Sequence, residues 1–225
     1  MSGLQAVWNG LDWSALIDIA LRVVPALICI TLHELAHGLA AYRLGDDTAK
    51  NAGRLTLNPL KSLDITGLIA MVVVGFGWAK PVPVDMRRFR DPKKGMALTA
   101  LAGPMMNLLI AVVFLFLYGV TYMALYDGGV FTQSLSAMLG STAYLSLALG
   151  IFNLIPISPL DGSKIFFSFL SDEAYYRLMR VERYGMIILI VLALTGATSG
   201  ILSRVTGWAF DRLFFIAEFA FDLVN

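Results

Sequence analysis

Cysteine and charged side chains are both scarce in this chain of 225 residues. The single cysteine, Cys29, excludes a disulfide framework and a zinc site built only from cysteines, because each needs several thiols. Charged residues make up 15% of the chain, against about 25% in an ordinary soluble domain, and the formal net charge of +1 gives no basic surface for nucleic acid. The first residues lack the basic region of a cleavable signal peptide, so we expect the first apolar segment to remain in the mature protein.

Apolar residues, by contrast, make up 58% of the chain and occur in long blocks such as 97–125 and 142–157. Such blocks are typical of segments that cross a lipid bilayer rather than of one soluble core. We therefore predict an all-α polytopic membrane protein, a transmembrane helix bundle that forms a single membrane-embedded domain over residues 1–225. The predicted helices span residues 14–44, 95–126, 135–154, 184–195 and 205–223, the last of them amphipathic.

A shorter apolar stretch, 65–78, is predicted to enter the membrane and return to the same side. Basic residues follow both the first helix and this stretch, whereas the loop 127–136 has none. Because cytoplasmic loops accumulate Lys and Arg, a spanning stretch at this point would leave strongly basic loops on both faces. The first helix should therefore end on the cytoplasmic side. The composition of the stretch favours a short re-entrant β-hairpin, through Val72, Val73, Val74, Gly75 and Phe76.

The two histidines of the chain, His33 and His37, lie four residues apart in the first apolar helix. This spacing places both imidazoles on one helical face, where they can hold one zinc ion, and Glu34 is within reach of a water on that ion. The alternative is that all three are polar groups satisfied within a helix bundle. Three ionisable groups within five residues of an apolar helix are costly without a compensating partner, which zinc would supply.

A catalytic zinc usually takes three protein ligands, so a third ligand has to come from another segment. Asp161 is the best-placed carboxylate, because Pro156 and Pro159 interrupt the preceding helix and leave a polar, irregular segment at membrane depth. The alternative role for Asp161 is to cap a helix that begins at Gly162. On spacing alone the two roles remain equally open.

Four segments, taken in chain order, resemble the site-2 protease family of intramembrane zinc metalloproteases. They are HELAH from His33, GWAKPVPV from Gly77, AGPMMN from Ala102 and NLIPISPLDG from Asn153. The resemblance covers about residues 25–165 and is strongest to short prokaryotic members without PDZ or CBS domains. It implies that His33, His37 and Asp161 bind one zinc ion per chain and that Glu34 is the general base. It also implies that the hairpin edge, from Val72 to Phe76, pairs with an unwound substrate strand.

Two asparagines in apolar surroundings, Asn107 and Asn153, each allow two interpretations. A buried amide has to find hydrogen-bond partners, so either residue can serve as a polar contact between helices. The alternative is that these amides orient substrate or stabilise the oxyanion beside the zinc. The family resemblance favours positions close to the site for both.

The sequence thus predicts an intramembrane zinc metalloendopeptidase that cleaves transmembrane segments, with zinc-activated water and Glu34 as general base. The expected setting is a prokaryotic cell membrane, with the active site toward the cytoplasmic side. The expected partners are a transmembrane-helix substrate and membrane lipid, and no nucleic acid; homo-oligomerisation is left open. The alternative function is a zinc-binding membrane scaffold that binds transmembrane helices without hydrolysis. Glu34 argues against the scaffold, because a passive zinc site needs no carboxylate between its two histidines.

Overall fold

The computed structural model describes residues 13–67, 78–125, 129–181, 184–196 and 199–224, and helices dominate these ranges. No β-strand occurs within them. The predicted helices 14–44, 95–126, 135–154 and 184–195 are confirmed to within a few residues. The helices are α1 Trp13–Arg43, α2 Thr48–Asn51, α3 Pro92–Leu125, α4 Val130–Asn153, α5 Asp161–Phe167, α6 Asp172–Val181, α7 Gly185–Thr195, α8 Ser199–Leu213 and α9 Phe215–Val224.

Within the described ranges, three helices are long and apolar enough to cross a membrane: Leu21–Arg43 within α1, Pro92–Tyr122 within α3, and Val130–Asn153. The shortest of these has 23 residues, or about 34 Å at a rise of 1.5 Å per residue, which exceeds the hydrocarbon thickness of a typical bilayer. A bent pair, Gly185–Thr195 with Gly200–Val224, meets the same criterion if both halves are counted as one broken span. The chain is therefore an integral membrane protein.

Helix α3 lies at the centre of the bundle and packs against α1, α4 and α9. Its inward face buries Ile110, Ala111 and Leu115. Its outward face exposes a row of large apolar side chains at helical spacing, which suits a surface in contact with lipid: Leu98, Leu101, Met105, Leu109, Val113 and Leu117.

The end of α1 and the beginning of α3 lie at the same end of the bundle. Ala41, Phe89 and Met96 form a buried cluster there, and Arg88 pairs with Asp47 beside it. The start of α6 joins this end, because Lys93 of α3 pairs with Asp172. The basic residues of these segments therefore collect at one end, as the charge distribution along the sequence predicted.

The predicted C-terminal helix 205–223 is instead two helices, α8 and α9, that meet at Phe214. The two helices contact different neighbours: α8 packs against α4, and α9 packs against α3. In α9, Ala217 and Ala220 lie so close to Gly119 of α3 that a side chain at Gly119 would overlap the α9 backbone. This close packing holds α9 against α3.

The predicted re-entrant hairpin falls mostly on residues 68–77, outside the described part of the chain. Val72, Val73, Val74, Gly75 and Phe76 all lie there. Of the described flanks, residues 65–67 are helical and residues 78–85 have no regular secondary structure. The hairpin therefore stays a prediction.

Candidate active site

Three ligand atoms from two distant segments converge in the bundle. His33 and His37 project from α1, and Asp161 is the first residue of α5. Asp161 Oδ2 lies 3.2 Å from the Nε2 atom of each histidine, and the two Nε2 atoms are 3.0 Å apart. All three residues are buried. The structure thus brings together the three residues that the sequence and the family resemblance singled out as ligands.

Asp161 does not cap its helix. The N-cap position of α5 belongs to Leu160, and no side chain accepts a capping hydrogen bond there. Asp161 stands one residue later, and its Oδ2 atom is buried without a hydrogen-bond donor aimed at it. The capping role that the sequence left open is therefore wrong, because the carboxylate faces the histidines.

The turn that positions Asp161 requires a glycine at position 162. Helix α4 ends at Asn153, and α5 begins eight residues later. A side chain at Gly162 would overlap the backbone carbonyl groups of Leu154 and Ile155 at the beginning of the turn. The Asp161-Gly162 pair therefore lets the turn fold back on itself closely enough to place the carboxylate against α1.

Each histidine has a second partner on its Nδ1 atom, and both partners belong to α3. His37 Nδ1 lies 2.7 Å from the backbone carbonyl oxygen of Thr99, to which it donates. His33 Nδ1 lies 3.0 Å from the side-chain amide of Asn107. A metal-binding Nε2 requires a proton on Nδ1, which the Asn107 oxygen accepts after a half-turn of the amide. In its present orientation that oxygen is buried without a partner.

One face of α3 contacts both histidines. Thr99, Gly103 and Asn107 lie on this face because they follow one another at intervals of four residues. A side chain at Gly103 would overlap both imidazole rings, so the rings pack directly on the glycine backbone. Sequence reasoning quoted Gly103 for the family resemblance but assigned it no role, and it missed Thr99. The four-residue spacing of Gly103 from Asn107 was the available signal for Gly103, whereas Thr99 acts through its backbone carbonyl and gave no such signal.

Glu34 lies beside the ligands in a cavity of about 510 Å³. Its Oε2 atom accepts a hydrogen bond of 2.8 Å from the backbone N–H of Val82. Asn153 also lines this cavity, and its amide donates to the Leu149 carbonyl in its own helix. Asn107 does not line the cavity, because it is fully buried behind His33.

Residues 78–85, which we call the 78–85 segment, contribute a second wall of the cavity through Pro81, Val82, Val84 and Asp85. Side chains from α1 and from the residues that follow it hold the segment at three points along its length. Arg54 donates to the Lys80 carbonyl at 2.7 Å, Glu34 accepts from Val82, and buried Asp46 accepts from the backbone N–H of Asp85 at 2.7 Å. The wall is thus fixed by individual hydrogen bonds rather than by a sheet or a helix.

Asp85 contributes a carboxylate to the cavity lining near its exposed end. The Arg87 side chain and backbone N–H both donate to this carboxylate, and they hold the pKa of Asp85 below its usual value. Asp85 therefore remains ionised and already has its counter-ion.

The ligand triangle fits a zinc ion. Ligand atoms bound at about 2.0–2.1 Å in a tetrahedral zinc site lie about 3.3–3.4 Å from one another, close to the 3.0–3.2 Å found between these atoms. Two imidazoles and one carboxylate are a familiar ligand set for catalytic zinc. The orphaned Asp161 Oδ2 also fits, because a bound cation would supply the partner that it lacks.

Comparisons with known proteins identify the family of the chain. The profile of peptidase family M50 matches residues 119–196, which include Asp161. The "Putative zinc metalloprotease YwhC" of Bacillus subtilis is 40% identical over 186 residues, which cover 80% of this chain and 83% of that protein. The "Putative zinc metalloprotease Rip2" of Mycolicibacterium smegmatis is 33% identical over 195 residues, covering 82% of this chain and 71% of that protein. No solved structure matches the chain.

The chain therefore belongs to peptidase family M50, the site-2 protease family. It is a zinc metalloprotease of the membrane, and Zn²⁺ is its metal. The predictions of the family, the hydrolase class and the metal are confirmed.

Proposed function

We propose that this protease is an intramembrane endopeptidase that cleaves transmembrane segments of other membrane proteins, as in regulated intramembrane proteolysis. One observation carries the proposal: the ligand triangle and Glu34 share a cavity whose floor is an apolar helix long enough to span a bilayer. A substrate that reaches such a site has to enter from the membrane or from its surface. Transmembrane segments are the peptides that meet this condition.

In this proposal His33, His37 and Asp161 hold the zinc ion, which acidifies water and polarises the peptide carbonyl group when bound. Glu34 accepts the proton as water attacks the scissile carbon, and then delivers it to the leaving nitrogen. The backbone N–H of Val82 supports this role, because its hydrogen bond fixes the direction of the Glu34 carboxylate.

The two asparagines take different parts in the proposed mechanism. Asn107 is a positioning residue. Its side-chain amide contacts His33, and its backbone carbonyl accepts a 2.9 Å hydrogen bond from the Ser146 hydroxyl of α4. Asn153 lines the cavity and is available to contact the substrate backbone or the oxyanion. This division follows from burial, because only Asn153 borders the space that a peptide would occupy.

Cleavage is proposed to occur toward the cytoplasmic side. The basic residues collect at the end of the bundle where α1 stops, and such residues mark cytoplasmic ends. His33 precedes Arg43 by ten residues, or about 15 Å along α1. The two histidines therefore lie between the middle of the 23-residue span and its basic end. A re-entrant hairpin with Val72, Val73, Val74, Gly75 and Phe76 would enter from the same side and offer an edge to an unwound substrate.

The test compares zinc content with cleavage of a reporter transmembrane substrate in detergent, for wild type, Glu34→Gln and Asp161→Ala. We expect Glu34→Gln to keep one zinc per chain and lose cleavage by about 10²- to 10⁴-fold, as for loss of a general base. Asp161→Ala should lose both. If the wild-type protein holds zinc and cleaves soluble peptides but no transmembrane segment, the intramembrane assignment is wrong. If it holds zinc and cleaves neither, the scaffold function is favoured.

A further inference from the structure

The catalytic cavity contains a cation that the proposed mechanism does not use. Among the described residues that line the cavity, Lys164 of α5 is the only lysine or arginine. Three carboxylates line the same space, those of Glu34, Asp85 and Asp161. Lys164 is half-buried, so part of its side chain is held inside the protein rather than extended into solvent.

None of these carboxylates is the partner of Lys164. Asp85 is bound on both oxygens by Arg87, Glu34 accepts from Val82, and Asp161 faces the two histidines. Across the part of the chain that the structure describes, no hydrogen bond or ion pair engages the Lys164 ammonium group. With zinc bound, the charges of the metal, Glu34 and Asp161 cancel, and Asp85 is neutralised by Arg87. The Lys164 charge is then left uncompensated.

Lys164 lies three residues after Asp161 in the same helix. Residues with this spacing share a helical face, so both side chains project toward the same side of α5. That face borders the cavity, because both residues line it. The lysine is therefore placed one helical turn from a proposed zinc ligand, in the space that the peptide would occupy.

Peptide hydrolysis creates an anion in this space at every turnover. Water adds its oxygen to the scissile carbon, the C–N bond breaks, and both protons end on the leaving amine, which departs as an ammonium ion. The other fragment carries a new carboxylate. Because a bound zinc ion and Arg87 neutralise the three lining carboxylates, Lys164 is the cation of the lining that remains to pair with this product.

We propose that Lys164 binds the carboxylate at the new C-terminus of the cleaved peptide. The inference rests on the proposed hydrolytic function of the same cavity and adds the residue that receives its anionic product. Lys164 donates to the product carboxylate, and a bound zinc ion would attract the same group. It is thus a substrate-contacting residue that favours the carboxylate product over an uncharged peptide end.

The test uses two apolar peptides with the sequence of the N-terminal product of the reporter substrate, one ending in a carboxylate and the other in a carboxamide. The affinity of each peptide for the zinc-loaded protein in detergent is measured by fluorescence. The proteins compared are wild type, Lys164→Met and Lys164→Arg. Zinc itself favours the carboxylate, so the relevant quantity is the change in the acid-to-amide affinity ratio. We expect Lys164→Met, which keeps most of the apolar stem, to lower this ratio by about tenfold. Lys164→Arg should retain most of it.

Lys61→Met is the matched control, because Lys61 is exposed and does not line the cavity. It should leave the ratio unchanged. An unchanged ratio in Lys164→Met would overturn the inference, as would an equal loss of affinity for both peptides, which would indicate a packing role. Binding is measured without turnover, so this result is separate from the cleavage test. A wild-type protein that fails to cleave transmembrane segments would refute the proposed function whatever Lys164 does.

Discussion

The two walls of the catalytic cavity are built on different principles. The helical wall, formed by α1 and α3, places the imidazoles of His33 and His37 directly against the backbone of Gly103. The second wall, the 78–85 segment, is held by hydrogen bonds from Arg54, Glu34 and Asp46 and by the packing of Val84 on the Ala41–Phe89–Met96 cluster. Close packing leaves the metal ligands little freedom, whereas point contacts allow a wall to adjust. The metal-binding side of the cavity is therefore expected to be rigid and the peptide-facing side adaptable.

The largest effect on zinc binding is expected at Gly103, where the helical wall is most tightly packed. Gly103→Ala places a methyl group on both imidazoles, so the two Nε2 atoms can no longer meet Asp161. We predict a loss of zinc affinity of at least about a hundredfold, with loss of cleavage, measured by metal titration and reporter assay. Gly207→Ala is the control, since nothing lies within 4 Å of a side chain added at Gly207. Full zinc binding in Gly103→Ala would show that the wall is less rigid than the packing implies.

A smaller effect is expected from the partner of His33. Asn107→Leu leaves the Nδ1 proton of that ring without an acceptor, and loss of such a partner typically weakens metal binding by about 10- to 100-fold. We predict zinc binding weakened by at least about tenfold, measured by competition with a chelator. Ser146→Ala removes the hydrogen bond to the Asn107 backbone carbonyl and leaves the contact between Asn107 and His33 in place, so it should cost much less. Equal losses in both variants would mean that general helix packing, not the His33 contact, sets the affinity.

On the adaptable wall, Asp46→Asn should affect the peptide and spare the metal. The substitution weakens the contact with the backbone N–H of Asp85, which holds the 78–85 segment in place. We predict a KM for the reporter substrate raised by about three- to tenfold, with one zinc per chain retained. Steady-state kinetics and metal analysis on the same preparation show whether the substitution changes KM, zinc content or both. Loss of zinc would contradict the separation proposed here.

The smallest effect is expected for Val73→Pro, in the predicted hairpin. Proline removes a backbone donor that an added substrate strand would need, so turnover should fall by a few fold while zinc content stays unchanged. The reporter assay is paired with metal analysis. An equal loss of zinc and turnover would argue against a strand-pairing role for this segment.

The parts of the fold and site that the sequence predicted carry strong local signals. The apolar blocks indicated the helices, and the His33-to-His37 spacing placed both rings on one face. Asp161 could be predicted as the third ligand because two prolines interrupt an apolar run shortly before it. Each signal depends on residue type alone, so it needs no knowledge of which helices pack together.

Other features depend on packing between distant segments and have no local signature. The Thr99 carbonyl is a backbone atom, so nothing in its residue type indicates that it accepts from His37. The division of the last helix into α8 and α9 follows from their separate neighbours, which hydropathy does not reveal. Lys164 resembled any other basic residue near the membrane until the structure placed it on the cavity wall.

The central claim is that His33, His37 and Asp161 together hold the zinc ion. X-ray absorption at the zinc edge, on the purified protein with one zinc per chain, tests it directly. The account predicts a shell of nitrogen and oxygen ligands at about 2.0–2.2 Å that includes two imidazoles, and a changed spectrum in Asp161→Ala. A sulfur ligand at about 2.3 Å would contradict it, because the only thiol, Cys29, is buried and directed at the Thr142 carbonyl. An Asp161→Ala spectrum identical to that of the wild-type protein would contradict it as well.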